Sequence, residues 1–228
     1  MLVHQLNTYF PDYSQLAALT ESLKSQDVAV AELKTTAAKA EAALSSGHFI
    51  VPFSESAFSL SNQVLKLAPN SQRAQSIRKD SVARALVEAK GWTADGKYDE
   101  ARQVYLAVSQ ILSTHKDLPA SAREVTEQLE RLEFVALPVT HDHALGSCTG
   151  TLKFNGYVIA FLPTGGSKDG FKQSLSELEK HEFSDKLGLH FRGKTYRFGP
   201  SRFEGREEGR QKMTEAYERL NKLIESKG

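Results

Sequence analysis

Two β-prone runs on either side of an Asn-Gly pair constrain the fold of this chain more than any other stretch. The runs span residues 149–154 and 157–162, with Asn155 and Gly156 between them. A two-residue hairpin turn needs positive φ at both central residues, which Asn and Gly tolerate best. The sequence therefore predicts a β-hairpin here. Helical periodicity dominates before residue 133, and strand alternation dominates from there to about residue 203.

The composition is that of an ordinary globular protein. Hydrophobic residues make up 40% and charged residues 25% of the 228, enough for one large domain or two small ones. The net charge of +1 gives no bulk electrostatic reason to expect nucleic acid or an acidic membrane surface. The single Cys148 excludes an intrachain disulfide framework and a cysteine-rich zinc module.

No apolar run approaches the roughly 18 residues of a membrane span. Polar residues also interrupt the N-terminus where a signal peptide would need an apolar core. The sequence therefore predicts a soluble chain, with the cytoplasm favoured over secretion. A piece of a larger polypeptide or complex would show the same pattern.

Helix-forming composition and apolar spacing predict helices over residues 13–47, 57–67, 71–95, 98–112 and 119–132. Small and aromatic residues here lie near the packing positions of a tetratricopeptide repeat: Ala85, Ala89, Trp92, Gly96, Tyr98, Ala101 and Tyr105. Residues 33–118 thus resemble a pair of tetratricopeptide-like hairpins, followed by a final capping helix. The first copy is degenerate and carries an insertion at residues 48–53.

The tetratricopeptide resemblance implies a concave surface that holds peptides. The polar side chains expected to contact such a ligand are Lys90 and Arg102, together with Lys97 and Gln103. The alternative interpretation is that all four lie on an ordinary solvated helix face.

The second half of the chain changes to strand periodicity. Strands are predicted over residues 135–140, 149–154, 157–162, 171–178, 178–183, 187–191 and 194–198, with a helical turn near 174–180 as an alternative. From Gly205 an apolar stripe at helical spacing predicts a C-terminal amphipathic helix. This order resembles the pleckstrin-homology (PH) superfold over residues 133–228. Residues 146–150 are also similar to a segment of bacterial PH-like domains fused to helical repeats.

The predicted fold class is therefore α+β with two domains. Residues 1–132 form the tetratricopeptide-like helical domain. Residues 133–228 form an antiparallel β-sandwich or barrel of about seven strands, and the C-terminal helix covers one open end of the sheet.

His141, His143 and Cys148 form the first candidate site. A His-x-His pair places both rings on one face of a strand, and a nearby thiolate would supply part of a zinc site. No fourth ligand is evident, although Asp142, His181 and His190 are conceivable. A Cys/His nucleophilic pair is the other reading, but no helix N-terminus or cluster of cations adjoins Cys148 to activate it. We therefore expect no metal, no cofactor and no catalytic residue, and interpret the protein as a non-enzyme.

The basic and aromatic stretch 190–198 forms the second candidate site. Alternation places His190, Arg192 and Arg197 on the solvent face, where they would bind phosphate or an acidic peptide. The aromatic residues of this stretch take the opposite face, which makes them core rather than a base-stacking platform. Nucleic acid is therefore not expected. The alternative is a solvated face whose cations discourage edge pairing.

Phosphoinositide-binding PH domains usually carry Lys and Arg in the loop between their first two strands. Residues 141–147, the corresponding loop here, contain neither. If the run ending at Phe154 were the first strand instead, the loop would shrink to residues 155–156, with Lys153 as the only cation beside it. Either register favours a protein or peptide partner. The sequence therefore predicts a non-enzymatic adaptor, with peripheral membrane or phospholipid binding by the PH-like domain as the alternative.

Overall fold

The computed structural model describes residues 14–144, 146–166, 168–202 and 205–225, with side chains from residue 21 onward. The chain divides into two compact units, Met1–Ala122 and Arg123–Gly228. The first is helical, and the second contains an antiparallel sheet with a C-terminal helix, so the predicted α+β layout is confirmed. This division assigns residues 123–132 to the sheet unit, whereas the sequence grouped them with the helices.

Four α-helices make up the described part of the first unit: α1 Ser14–Ser45, α2 Ala57–Leu67, α3 Gln72–Ala94 and α4 Tyr98–Thr114. The side-chain oxygens of Ser56 and Ser71 accept hydrogen bonds from the first turns of α2 and α3, as good N-caps do. Gly47 and Gly96 follow α1 and α3 with positive φ, which ends each helix. None of the described helices is long and apolar enough to cross a membrane.

Small side chains allow the helices of this unit to pack closely. Ala40, Ala43, Ala57 and Ile77 form a cluster at the meeting of α1, α2 and α3. Further along, the buried residues of α3 and α4 are mainly small or aromatic: Ala85, Ala89, Ala101, Val104, Tyr105 and Val108. Four of the seven residues that suggested repeat packing, Ala85, Ala89, Ala101 and Tyr105, are therefore core, while Trp92 is half-buried.

Helix α5, Ala122–Leu132, lies in the second unit apart from its first residue, and helix α6, Arg206–Glu225, follows the strands of that unit. Between them lie seven strands: β1 Val135–His143, β2 Gly146–Phe154, β3 Val158–Pro163, β4 Phe171–Ser174, β5 Leu178–Phe183, β6 Leu187–Phe191 and β7 Lys194–Pro200. They form one sheet in the order β4-β3-β2-β1-β7-β6-β5, and every pairing is antiparallel. A single 3-10 turn, Leu175–Glu177, separates β4 from β5, as the alternative reading of that stretch anticipated.

One face of this sheet and one stripe of α6 form the core of the second unit. The fully buried sheet residues are large and apolar, and they include Leu152, Phe154, Ile159, Phe161, Leu187, Leu189, Phe191 and Phe198. The buried residues of α6 recur at helical spacing and complete the same cluster: Met213, Ala216, Leu220 and Leu223. Each large side chain removed from water stabilises the fold by about 1.5–3 kcal/mol. Because the buried side chains alternate along the strands, the alternating sequence pattern predicted the strands well.

The turn between β2 and β3 corrects the opening prediction. Asn155 and Gly156 both have negative φ, so they do not form the two-residue turn with positive φ. Asn155 is instead buried, and its Oδ1 accepts hydrogen bonds from the N–H groups of Tyr157 and Val158 at 2.9 and 3.0 Å. The asparagine thus closes a wider turn through its side chain, a common use of Asn in loops.

The two-residue turn with positive φ occurs elsewhere, between β6 and β7. Arg192 has φ of 48° and Gly193 has φ of 74°, and Phe191 pairs directly with Lys194. The break between the predicted strands 187–191 and 194–198 is therefore a turn, with the backbone form that matches the twist of the flanking strands.

Helix α5 is bonded to the sheet and to α6. The Gly156 N–H donates to Arg131 O at 2.7 Å, and the Tyr157 hydroxyl donates to Gln128 Oε1 at 2.6 Å. From α6, the guanidinium of Arg219 donates to the backbone oxygen of Glu130 at 2.6 Å, and Lys222 Nζ lies 3.0 Å from the carboxylate of the same residue. These contacts explain why α5 belongs to the compact unit of the sheet.

Candidate functional site

The β1–β2 hairpin brings His141, His143 and Cys148 onto one face of the sheet. The register pairs His141 directly with Cys148. His143 lies two residues further along β1, so its side chain leaves the strand on the same side. One ligand atom from each of the three residues lies within 4.8 Å of the others. The cluster that the sequence identified is therefore real.

A fourth side chain, missed at the sequence level, joins this cluster. His143 Nε2 lies 3.1 Å from Cys148 Sγ and 3.6 Å from Asp169 Oδ2, while His141 Nδ1 lies 3.8 Å from the same sulfur. Asp169 belongs to the connection between β3 and β4, and only the pairing of β2 with β3 brings that connection to the hairpin. No local signal in the sequence reports such a neighbour.

The other ligands that the sequence suggested point elsewhere. Asp142 pairs with Lys186 at 2.6 Å, on the opposite face of β1 from the two histidines. His181 Nε2 contacts Asn221 Oδ1 of α6 at 2.5 Å, and His190 Nδ1 contacts Thr195 Oγ1 at 3.0 Å. None of these three side chains contributes to the cluster.

Aromatic packing surrounds His141, which is only 6% exposed. Its ring stacks on Phe198 with 5.0 Å between centroids and lies 5.1 Å from Phe161. Burial, and then the charge of neighbouring His143, lower the pKa of His141, although the carboxylates of Asp169 and Asp142 oppose this shift. A neutral ring keeps a nitrogen lone pair, so His141 is suited to accepting a hydrogen bond or a cation.

The basic side chains of the stretch 190–198 are less available to an anion than the strand alternation suggested. Arg197 is exposed on β7, but Arg192 lies in the β6–β7 turn rather than on a strand face, and its guanidinium pairs with Glu177. His190 is half-buried, with Nε2 lying 3.7 Å from Glu182 Oε1. Arg192 and Arg197 are therefore exposed, whereas His190 is only partly exposed.

Carboxylates offset the cations around this site. Glu182 lies 2.9 Å from Lys180, whose ammonium lowers the pKa of that carboxyl. Glu179 accepts a hydrogen bond of 3.3 Å from the Gly193 N–H, beside the pair formed by Arg192. A phosphate group would therefore compete with carboxylates already in place, which weakens the case for anion binding.

The connection between β1 and β2 is shorter than predicted. Residues 141–143 and 146–147, expected in a loop, belong to the two strands, and the sequence between His143 and Gly146 is the β1–β2 link. That link contains neither Lys nor Arg. Beside it, however, Arg202 donates to Ser147 Oγ at 2.5 Å. Arg202 follows β7 in the chain, so a search for cations within the loop sequence could not include it. Lys153 lies away from this link, with Nζ 4.0 Å from the ring of Phe134.

In the helical unit, Lys90 and Arg102 are both exposed, on α3 and α4. Neither lines the apolar groove of about 350 Å³ that lies between α2 and α4. Its walls are Ile50, Val51, Phe53, Phe58, Asn62, Ala107, Gln110, Ile111, Thr114 and His115. A second cavity of about 480 Å³ adjoins it and shares Phe53, Asn62 and His115.

Two apolar side chains at this groove face water. Phe53 is 57% exposed and Val51 is 47% exposed, whereas the neighbouring Phe58 is 1% exposed and packs edge-on against His115. Residues 48–53, predicted only as an insertion, contribute Ile50, Val51 and Phe53 to this surface. The signal that would have found it is an aromatic residue in a short segment with no apolar periodicity of its own.

Comparisons with known proteins give weak likenesses. No protein-family model matches the sequence, and no curated protein matches it. One similar solved structure is the C-terminal domain of an unknown protein from Leishmania infantum, with a TM-score of 0.32 and 11% identity over 39% of this chain and 80% of that chain. Another is the N-terminal PH domain of human ARAP2, with a TM-score of 0.31 and 14% identity over 42% of this chain and 82% of that chain.

Proposed function

We propose that this chain is a non-enzymatic adaptor that binds a peptide segment of a protein partner. The observation that carries the proposal is the groove between α2 and α4, with Phe53 at its edge. An exposed aromatic side chain gains about 25 cal/mol for each Å² that a ligand covers, so Phe53 and Val51 favour an apolar partner.

The groove suits one or two apolar side chains of an extended or helical peptide. Its volume of about 350 Å³ lies in the lower part of the range for ligand pockets. Asn62 and Gln110 line the same walls and offer amide groups to a peptide backbone. Apolar anchors with a few polar contacts are how helical surfaces commonly hold peptides.

In this proposal α1 to α4 act as two tetratricopeptide-like hairpins, and the PH-like sheet unit acts as a second docking module. The pairing of Arg192 with Glu177 favours a protein surface over a phosphorylated lipid as the ligand of that module. Arg202, close to the β1–β2 link, is the feature that favours the phospholipid alternative.

A random-peptide display selection against the full chain tests the groove. We expect enriched peptides to share an aromatic or branched apolar anchor, and Phe53→Ser to weaken their binding by at least tenfold in fluorescence anisotropy. Val87→Ser is the matched control, since Val87 is 71% exposed on α3 and does not line the groove. Equal binding by the two variants, or no enrichment over a blank surface, would contradict the proposal.

Sedimentation with phosphatidylserine vesicles tests the alternative. We expect no more than background sedimentation of the full chain at physiological salt. Strong binding that declines with added salt and disappears in Arg202→Ala, or in the double variant Arg192→Ala/Arg197→Ala, would instead favour membrane attachment.

A further inference from the structure

Three side chains converge around the β1–β2 link, and a fourth, Asp169, contacts one of them. Cys148 Sγ and Asp169 Oδ2 both approach the same nitrogen of the His143 ring, Nε2, at 3.1 and 3.6 Å. His141 Nδ1 lies 3.8 Å from the same sulfur. Two nitrogens and one sulfur thus lie within 4.8 Å of one another, and the carboxylate of Asp169, from the β3–β4 connection, approaches one of those nitrogens.

These separations are those of donors that share a metal ion. Zinc bonds to histidine nitrogen at about 2.0–2.1 Å and to thiolate sulfur at about 2.3 Å, so a tetrahedral arrangement places neighbouring donors roughly 3.3–3.6 Å apart. The observed contacts of 3.1, 3.6 and 3.8 Å bracket that range. In each of these three pairs the separation differs from the tetrahedral one by less than 1 Å.

The same geometry argues against a Cys-His nucleophilic pair. In a catalytic triad the acid contacts the ring nitrogen that does not face the nucleophile, because it orients the histidine from behind. Here the thiol and the carboxylate approach one and the same nitrogen of His143. This arrangement lacks the acid that orients the histidine of a triad from behind, whereas shared coordination of one ion needs only donors on the same side.

We propose that His141, His143, Cys148 and Asp169 bind one zinc ion. Two imidazoles, a thiolate and a carboxylate are a donor set that zinc accepts and that the oxygen-preferring cations magnesium and calcium do not. Four protein ligands make a closed site, so the ion would stabilise the fold, joining the β1–β2 hairpin to the β3–β4 connection. Binding releases the thiol proton of Cys148 to solvent.

Contacts with neighbouring rings hold the imidazoles of His141 and His143 in this position. His141 is stacked on Phe198 and packed on Phe161, and its centroid lies 4.5 Å from that of His143. Ring orientations held by packing reduce the entropy lost when a metal binds. The expectation from the sequence was that no metal binds, because no fourth ligand was evident. Asp169, which contacts His143, is the ligand proposed for that position.

Titration of the full chain with Co²⁺, after treatment with a chelator, tests the site. One equivalent should produce the visible absorption of tetrahedral cobalt and a thiolate-to-cobalt band in the near ultraviolet, and Zn²⁺ should displace both. Cys148→Ala should abolish the thiolate band, and Asp169→Asn should weaken binding at least tenfold while keeping that band. His190→Gln is the control, since His190 lies in the same sheet outside the cluster.

A second measurement uses only the unaltered chain, so it holds even where a variant folds poorly. Cys148 is partly exposed and should react with iodoacetamide in the presence of chelator. One equivalent of Zn²⁺ should slow the reaction at least tenfold, and Mg²⁺ should not. Absence of the cobalt thiolate band, or alkylation at the same rate with and without zinc, would overturn the proposal.

Discussion

Gly156 lies where the β2–β3 turn meets α5, and it is needed for close approach rather than for backbone freedom. A Cβ at this position would lie 2.9 Å from Arg131 Cβ and 3.0 Å from Arg131 O. The N–H of Gly156 also donates to that oxygen at 2.7 Å, so the turn cannot move away without losing a hydrogen bond. The helix backbone on the other side cannot yield as a flexible side chain would.

Gly156→Ala should therefore lower the free energy of unfolding by about 1–3 kcal/mol, the usual cost of overpacking a close contact. Urea denaturation of the full chain measures this. Gly199→Ala is the matched control, because its added Cβ would meet only the Lys186 side chain at 3.9 Å. Equal stability of the two variants would show that the turn relaxes without cost.

At the scale of elements, the β6–β7 hairpin contains an unfavourable residue in its turn. Arg192 has positive φ, a conformation in which Asn and Gly are preferred. Its pair with Glu177 is on the surface, with the arginine side chain 72% exposed, and such pairs contribute little. The hairpin therefore depends mainly on the packing of β6 and on Gly193.

Arg192→Asn creates an Asn-Gly turn and should raise the free energy of unfolding by about 0.5–1 kcal/mol. Thermal and urea unfolding of the full chain should agree on the sign. Arg197→Asn, on the neighbouring strand, should give no gain, because Asn is a poor strand former. A net loss of stability in Arg192→Asn would mean that the pair with Glu177 contributes more than the strained backbone costs.

At the scale of the whole molecule, α5 completes the sheet unit. Its Leu132 is 1% exposed, and its backbone oxygens at Glu130 and Arg131 accept hydrogen bonds from α6 and from the β2–β3 turn. In a fragment that lacks α5, the turn containing the buried Asn155 loses its hydrogen bond to Arg131 O. Lys222 loses its ion-pair partner, Glu130.

We expect a fragment of residues 120–228 to unfold cooperatively at a higher temperature than a fragment of residues 133–228. Circular dichroism melts measure the difference. The cause is that α5 covers apolar surface and satisfies backbone groups of the turn. Identical melting of the two fragments would support the sequence-based boundary at residue 132.

Local periodicity explains the parts of the fold that were predictable. Helices expected over residues 57–67 and 98–112 are found at Ala57–Leu67 and Tyr98–Thr114. The strand alternation at 187–191 and the stripe on α6 likewise match buried residues. Each of these patterns is repeated within one element, so a short stretch of sequence contains the whole signal.

The failed or missing predictions all involve a second element. The Asn155-Gly156 pair has a typical hairpin signature, yet contact with α5 and the side chain of Asn155 determine its form. Asp169 joins the histidine cluster only through the pairing of β2 with β3. Glu177 neutralises Arg192 although fifteen residues separate them in the chain.

The amino-acid sequence by itself determined that helices precede an antiparallel sheet of about seven strands with a terminal helix, and it placed His141, His143 and Cys148 close together along the chain. It did so because period and register act over neighbouring residues. Only the tertiary structure decided how Asn155-Gly156 turns, which carboxylate reaches the cluster, and where an apolar groove remains. Those features depend on distances between segments far apart in the chain, which the folded core alone sets.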